Sequence, residues 1–456
     1  MKLSSLVLFL VLVAAPSTTF GRDIYVSAET GNEENDGSKE KPKKLLWKVM
    51  KDMKPGDHVF VAEGRYEGQA HAPTLPQVTC GDFTLEGGWA KDFSARDPFK
   101  HISEIGPPRE EGNGTGGKVI HVESPDNKIS NVTIDGFFID RGNSNHYFGE
   151  GDPGAGKKIE GFHDNSPWGY QALNRKKSGT DPSVTLIGQG HFTVRNMVIV
   201  NSPWWGIYVK CGGDKPTTIE NNLVLISQGR AIEALAGGGW GKPTIHLKNN
   251  TIAFNYAFGA GEGRAITADP KPDAAKYVVE NNVLAFSDGG AIDTKFGAKG
   301  DSMTLTNNLF FFNLKGDMAV ANAGGVAAKE FADQLECKSK DNASELPKFV
   351  AKLAKEWLDK WSYREGAPLV GTKFSTQDDL WAVRAAVGLP KETTIPGYDK
   401  QFPDYKSLPQ KRNNYEQGRY PTPKKKGEGI DWEKDILPIL GADGARGVQA
   451  TPAGSK

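Results

Sequence analysis

Short apolar runs recur through the middle of the chain, and they recur in threes. The segments FTVRNMVIVNSPWWGIYV (192–209), TIENNLVLISQGRAIEAL (218–235), IHLKNNTIAFNYAFGAGEGRAITA (245–268), VVENNVLAFSDGGAIDTK (278–295) and LTNNLFFFNLKGDMAV (305–320) share one order. Each has an apolar strand, an asparagine corner, a second apolar strand, a polar or glycine turn, and a third strand. The corner asparagines Asn196, Asn222, Asn250, Asn282 and Asn308 are separated by 26, 28, 32 and 26 residues. VTIDGFFID (132–140) repeats the pattern with Gly136 at the corner, and FTLEGGW (83–89) begins an earlier turn of it. Such short runs cannot bury a face alone, but coils stacked at about 4.8 Å pair each backbone group with the next layer. The pattern predicts at least six stacked coils, with Asn222, Asn250, Asn282 and Asn308 in one buried column passing amide hydrogen bonds up the stack. A leucine-rich solenoid or a propeller is excluded, because the leucine consensus and the Trp-Asp blade signature are both missing.

Ahead of the repeats, DIYVSAETGNEENDGSKEKPKKLLWKVMKDMKPGDHVFVAEGRYEG (23–68) reads as a strand, a turn and an amphipathic helix around Leu46 to Met53. A first coil from Val59 to Tyr66 follows, behind a Pro-Gly-Asp turn. Cap and repeats together, over roughly residues 23 to 322, resemble the right-handed parallel β-helix superfamily, whose best-known members are pectate lyases and polygalacturonases. The fold expected is therefore all-β: a right-handed parallel β-helix solenoid with an N-terminal cap helix. Residues 22–322 form the solenoid, interrupted by an insertion at 141–182, and 323–456 form a helical and irregular C-terminal cap. Within the latter, Phe331, Leu335, Leu346, Phe349, Leu353 and Trp357 fall at helical spacing and predict helices over 327–361. Short helices are expected near 376–387 and 431–440. A solenoid's last coil exposes an edge that needs covering.

Residues 1–21 read as a signal peptide: Lys2, an apolar run from Leu6 to Ala15, and a cut between Gly21 and Arg22. That run of about ten residues is short of the roughly twenty a membrane-spanning helix needs, so the expectation is an exported protein with no transmembrane segment. With 56 basic and 56 acidic residues, charge gives no reason to expect nucleic acid as a partner. Cys80, Cys211 and Cys337 are too few and scattered for a disulfide framework or a zinc site. N-x-S/T sequons begin at Asn113, Asn131, Asn249 and Asn342.

The resemblance implies a site on the outer face of the third strand of each coil. Alternation about the inward anchors Ile207, Ile232, Ile266, Ile292 and Val320 then gives the outward columns. Two residues before the anchors stand Trp205, Arg230, Arg264, Gly290 and Met318. One residue after stand Tyr208, Glu233, Thr267, Asp293 and Ala321, and three after stand Lys210, Leu235, Asp269, Lys295 and Ala323. The earlier KVIHVE (118–123), anchored on Ile120, offers Lys118, His121 and Glu123. Polygalacturonases carry catalytic aspartates where this chain has arginines, so that signature is absent. The Trp-Ile-Asp-His and Asp-Pro-His-Asp motifs of a pectate lyase family and of alginate epimerases are missing too.

Arg230 and Arg264 on adjacent coils repel unless an anion lies between them. A uronate or sulfate would satisfy both; so would a salt-bridged ladder with Glu233, Glu262, Asp269 and Asp293. For β-elimination or epimerisation of a uronate polymer, the arginines would neutralise the carboxylate, with Lys210, Tyr208 or a loop histidine as base. Glu233 and Asp293, about 10 Å apart at two strand spacings, alternatively suit an inverting glycosidase. Asp269, Asp288 and Asp293 could hold calcium; no other cofactor is expected. The insertion brings His146, Tyr147, His163, Asp164, Trp168, Tyr170 and Arg175, a mix suited to a sugar-binding wall that Trp204 and Trp205 could extend. The reading is a monomeric secreted protein acting on an acidic polysaccharide as lyase or epimerase, with an inverting hydrolase or a non-catalytic binding solenoid as its rivals.

Overall fold

The computed structural model describes residues 21–69, 74–106, 118–141, 182–355, 385–389 and 431–454, less breaks at 203, 228, 256–262, 269–273, 288, 295–298, 314–315, 321–323 and 332–335. Its strands form three sheets of ten, nine and eight members, and from Phe83 to Val320 each coil contributes one strand to each sheet in turn. Pairing is parallel throughout, except where Gly324–Val326 closes the third sheet antiparallel to Met318–Val320. The chain is thus a parallel β-helix, right-handed as parallel crossovers are. Helix Leu46–Lys51 plugs its first coil with Leu46, Val49 and Met50.

The core follows from alternation. On the third sheet Ile120, Val184, Ile207, Ile232, Ile266, Ile292 and Met318 all point inward and are fully buried. Register corrects one expected anchor: Ile292 pairs with Met318, whereas Val320 pairs with Thr294, two residues further along. The strand Val184–Ile187, directly after the insertion, is the third strand of the coil that begins with VTIDGFFID, a strand the repeat pattern did not reveal. Pairing also continues past residue 322: Glu336–Lys340 joins the first sheet and Ala343–Ser344 the second. The described part of 327–361 is mostly strand and 3-10 turn, with helical residues at Phe331 and Lys355 bordering segments outside the described residues. Near 431–440, Trp432–Ile439 forms two short helical turns.

The paired asparagines divide two tasks. The second of each pair points inward: Asn222, Asn250, Asn282 and Asn308 each donate Nδ2 to the Oδ1 of the next, ending on Asn342, at 2.9–3.0 Å. Asn196 is not in this column; Met197 holds the equivalent place, and its backbone N–H donates to Asn222 Oδ1. Asn196 belongs with the first of each pair, Asn221, Asn249, Asn281 and Asn307, all at φ between 51° and 56°. This left-handed conformation suits asparagine better than most residues. A second polar ladder at the next bend went unread in the sequence. Ser227 N–H donates to Asn255, Asn255 to Ser287 Oγ, and Ser287 N–H to Asn313.

The outward side chains of the first asparagine column clasp a strap, residues 445–453. Asn249 Nδ2 donates to the Ala445 carbonyl and Arg446 Nε donates to Asn307. Asn221 receives Gln449 N–H and donates to the Thr451 carbonyl, and Asn196 exchanges both bonds with Ala453. Of the sequon asparagines, Asn249 and Asn342 are thus engaged in the strap and the inner ladder, while exposed Asn131 donates to Asp82.

Candidate functional site

Outward positions of the third sheet line up coil upon coil. His121, Thr185, Tyr208, Glu233, Thr267 and Asp293 are successive register partners in one column. Trp205, Arg230 and Arg264 form a second column beside it. Lys210 pairs with Leu235 in a third. Backbone alternation fixes these directions, because the intervening residues fill the core.

An aromatic platform lies at the centre. Trp205 and Tyr208 stack with ring centroids 5.1 Å apart and planes 18° from parallel, and Trp204 meets Trp205 edge-on at 5.8 Å. The Arg230 guanidinium carbon sits 5.6 Å from the Trp205 ring centroid, and Lys210 Nζ lies 5.1 Å from that of Trp240. All of these aromatic rings are partly exposed. Such flat faces flanked by cations suit the apolar face of a sugar ring and its polar rim.

Both arginines are paired. Arg230 reaches Glu233 three residues along its own coil, and Arg264 reaches Asp293 on the next. These are two of the four carboxylates expected of an ion ladder; Glu262 and Asp269 lie outside the described residues. The guanidinium side chains keep 21% and 22% exposure, so solvent and solutes reach them. Their carboxylate partners are more deeply set, at 7% and 12%.

Burial, reinforced by the charges of Glu233 and Glu123, pushes the Tyr208 phenol above its ordinary range. That disfavours Tyr208 as the expected base and suits it to donating a proton. Three shielded polar atoms along the strip, Thr185 Oγ1, Thr267 Oγ1 and Trp205 Nε1, make no hydrogen bond to the protein.

Lys118, His121 and Glu123 converge at one end, a cluster whose chemistry went unassigned although alternation placed it outward. His121 Nε2 lies 2.8 Å from Glu123 Oε2 and 3.0 Å from Lys118 Nζ. Burial raises the Glu123 carboxyl, but the His121 hydrogen bond and the Lys118 charge outweigh it and hold it below its ordinary range. The insertion residues His146, His163, Trp168, Tyr170 and Arg175 lie outside the described residues, as do Asp269, Asp288 and Lys295. Of the carboxylates weighed for calcium, the described one, Asp293, is occupied by Arg264. A cavity of about 340 Å³ lies apart from the strip, beside Trp47 and Arg65 of the first coil.

No family model matches the chain, and no curated protein does. Among solved structures it is similar to a complex of XylC with xylose, at 11% identity and a TM-score of 0.31 over 76% of this chain and 80% of that one. It is similar to a lacto-N-biosidase of glycoside hydrolase family 136 from Eubacterium ramulus, at 13% and 0.30 over 72% and 68%. Pectate lyase Pel9A stands at 11% and 0.30 over 73% and 83%. No site residue transfers at such identities. Among the described residues, no helix is long and apolar enough to cross a membrane.

Proposed function

We propose that this chain is an exported carbohydrate-active β-helix protein that acts on a uronate-bearing polysaccharide along the outer face of its third sheet, as a lyase or an epimerase. The observation that carries this reading is the Trp205–Arg230–Arg264 column, an aromatic face continued by two register-paired guanidiniums. A sugar ring stacks on Trp205 and Tyr208 while its carboxylate displaces Glu233 or Asp293 from an arginine. Neutralising that carboxylate acidifies the C5 proton, and the protonated Tyr208 is placed to give a proton to a leaving oxygen. Lys210, held over Trp240, flanks the same platform.

A second reading has one observation in its favour. Glu233 and Asp293 share a column with a single residue, Thr267, between them. That is about 10 Å at the backbone, at the upper end of the range for an inverting glycosidase pair. One experiment separates the readings: incubate the protein lacking residues 1–21 with a panel of acidic polysaccharides. Unsaturated uronate products, seen by ultraviolet absorbance, support the lyase, and inversion at C5 without chain cleavage supports the epimerase. New reducing ends without unsaturation support the hydrolase. Binding without any product makes the chain a carbohydrate-binding solenoid.

A further inference from the structure

Each arginine of the strip is held by a carboxylate of the strip, and Lys118 likewise meets Glu123. Lys210 differs. Among the described residues it meets no carboxylate, and its ammonium lies instead 5.1 Å from the centroid of the Trp240 ring. Register gives the reason. Its partners on the neighbouring coils, Ile187 and Leu235, are both apolar. The next residue in the column is Glu123, two strand spacings or about 10 Å away, and it is already held by Lys118 and His121.

The indole beneath this ammonium is seated by main chain. Trp240 N–H donates to the Gly237 carbonyl, and the Trp240 carbonyl accepts from Gly213 N–H at 2.6 Å. A Cβ on Gly237 would fall 1.8 Å from the Trp240 ring, and one on Gly212 would fall 2.4 Å from the Trp240 Cβ. Two glycines on successive coils thus leave the space in which the ring lies. Lys210 also stands two residues after Tyr208 on the same outward side, so it borders the aromatic platform at the end away from Arg230.

We propose that Lys210, seated on Trp240, is a substrate-binding residue that selects for acid sugars by pairing with the carboxylate of a second uronate, further along the chain from the one held at the arginines. The inference rests on the uronate reading above and names what sets its preference for charged over neutral glycans. One sugar cannot reach both points. Five residues of extended strand, about 16 Å, separate Lys210 from Trp205, the register partner of Arg230. A polymer with carboxylates on successive sugars can span that distance. Each arginine must release Glu233 or Asp293 before it takes a ligand carboxylate, whereas Lys210 has no counter-ion to give up. The ring face attracts the ammonium and limits where it can go without neutralising it. Trp240 is then a positioning residue for that charge.

The test compares one oligomer with and without its charge. Oligomers of galacturonate and of glucuronate, as free acids and as methyl esters, are titrated calorimetrically into the unaltered protein, K210Q, K210R, W240L and W240F. Thermal unfolding of each variant controls for folding. K210Q should bind the free acids on the order of 10-fold more weakly and the esters at the unaltered level, and K210R should restore the acid preference. The deficit of K210Q should shrink in high salt. W240L should lose part of the preference although it keeps the ammonium, and W240F should recover it. If K210Q binds both forms as the unaltered protein does while Arg264→Ala binds the acids more weakly, the inference is overturned and the uronate reading stands. Equal weakening of acid and ester by K210Q also overturns it, since Lys210 then serves packing. If the unaltered protein binds no acid form, the uronate reading fails and takes the inference with it.

Discussion

On the second sheet the outward residues Val198, Leu223, Leu225, Ala253, Val283, Ala285 and Leu309 are buried beneath Phe349, Val350, Ile436, Ile439 and Val448. At the outward positions of the third sheet, on the same coils, stand Tyr208, Glu233, Thr267 and Asp293. Both faces repeat coil by coil, and both are backed by the same core. The second-sheet strands VIV, LVL, TIA, VLA and LFF are apolar or nearly so along their length, as strands buried on both faces are. The third-sheet strand WGIYVKC alternates after its first residues. A solenoid can thus cover one flank with apolar packing and keep another polar, because each face is set by its own residue of the alternation.

The strongest way to break this comparison is to attack the cover. Ile436→Ala, fully buried against the second sheet, should cost about 2–4 kcal/mol in denaturant unfolding and leave carbohydrate binding intact. Loss of binding with unchanged stability would mean that the faces are not separable. Next in size is the third sheet. Arg230→Ala or Arg264→Ala should weaken binding of an acidic oligosaccharide by about 1–3 kcal/mol, less so at high salt, and should also lower stability, because each strips a partner from a largely buried carboxylate. A lowered melting temperature with no effect on glycans would make the arginines a structural ladder only.

The smallest expected effect is on pH, where the two faces should respond with opposite sign. Burial raises the carboxyls of Asp435 and Asp443 in the cover, so their folded state favours the protonated form. Their contribution is fullest below the unfolded value of about 3.9 and is lost as pH rises through the folded values. Glu123 is lowered in the fold, so its contribution is present above about 4.3 and is lost as pH falls through its folded value. Hydrogen exchange corrected for intrinsic rate should show protection of 431–448 falling, and that of 118–123 rising, as pH increases through this range. Asp443→Asn should flatten the first trend, and parallel trends would remove the contrast.

Much of this was legible in the chain because the inner asparagine column recurs with little variation and alternation carries over intact from Ile207 to Asp293. Asn196 misled because Asn196-Met197 stands where other coils have Asn-Asn, so the one asparagine present looked like the ladder member. At the last coil Gly316 and Asp317 bring Met318 into register with Ile292, and counting from Val320 slips by two. The helical spacing of Phe349 and Leu353 arose from a 3-10 turn, whose apolar residues also recur at three to four positions. Val184–Ile187 is only four residues long and follows the insertion directly, which hid it. The Lys118–His121–Glu123 cluster needed distances, since three polar residues on a strand flank do not announce that they meet at one ring nitrogen.

The strap at 445–453 changes how the body should behave as a thermodynamic object. Coils stacked through neighbours 26 to 32 residues apart behave as a one-dimensional chain that can fray from its ends layer by layer. The strap crosses these layers, and its contact with Asn196 joins residues 257 apart. Loop-closure entropy grows only as the logarithm of that separation, so one long-range closure links several coils for little more than a short one costs. The coils from Asn196 to Asn307 should therefore melt as a single cooperative unit, and Trp432, which packs on Phe138 and donates to the Phe99 carbonyl, ties the coils before them to the same cover. Because the strap emerges last from synthesis among the segments it binds, this cooperativity arrives only after the coils have already stacked.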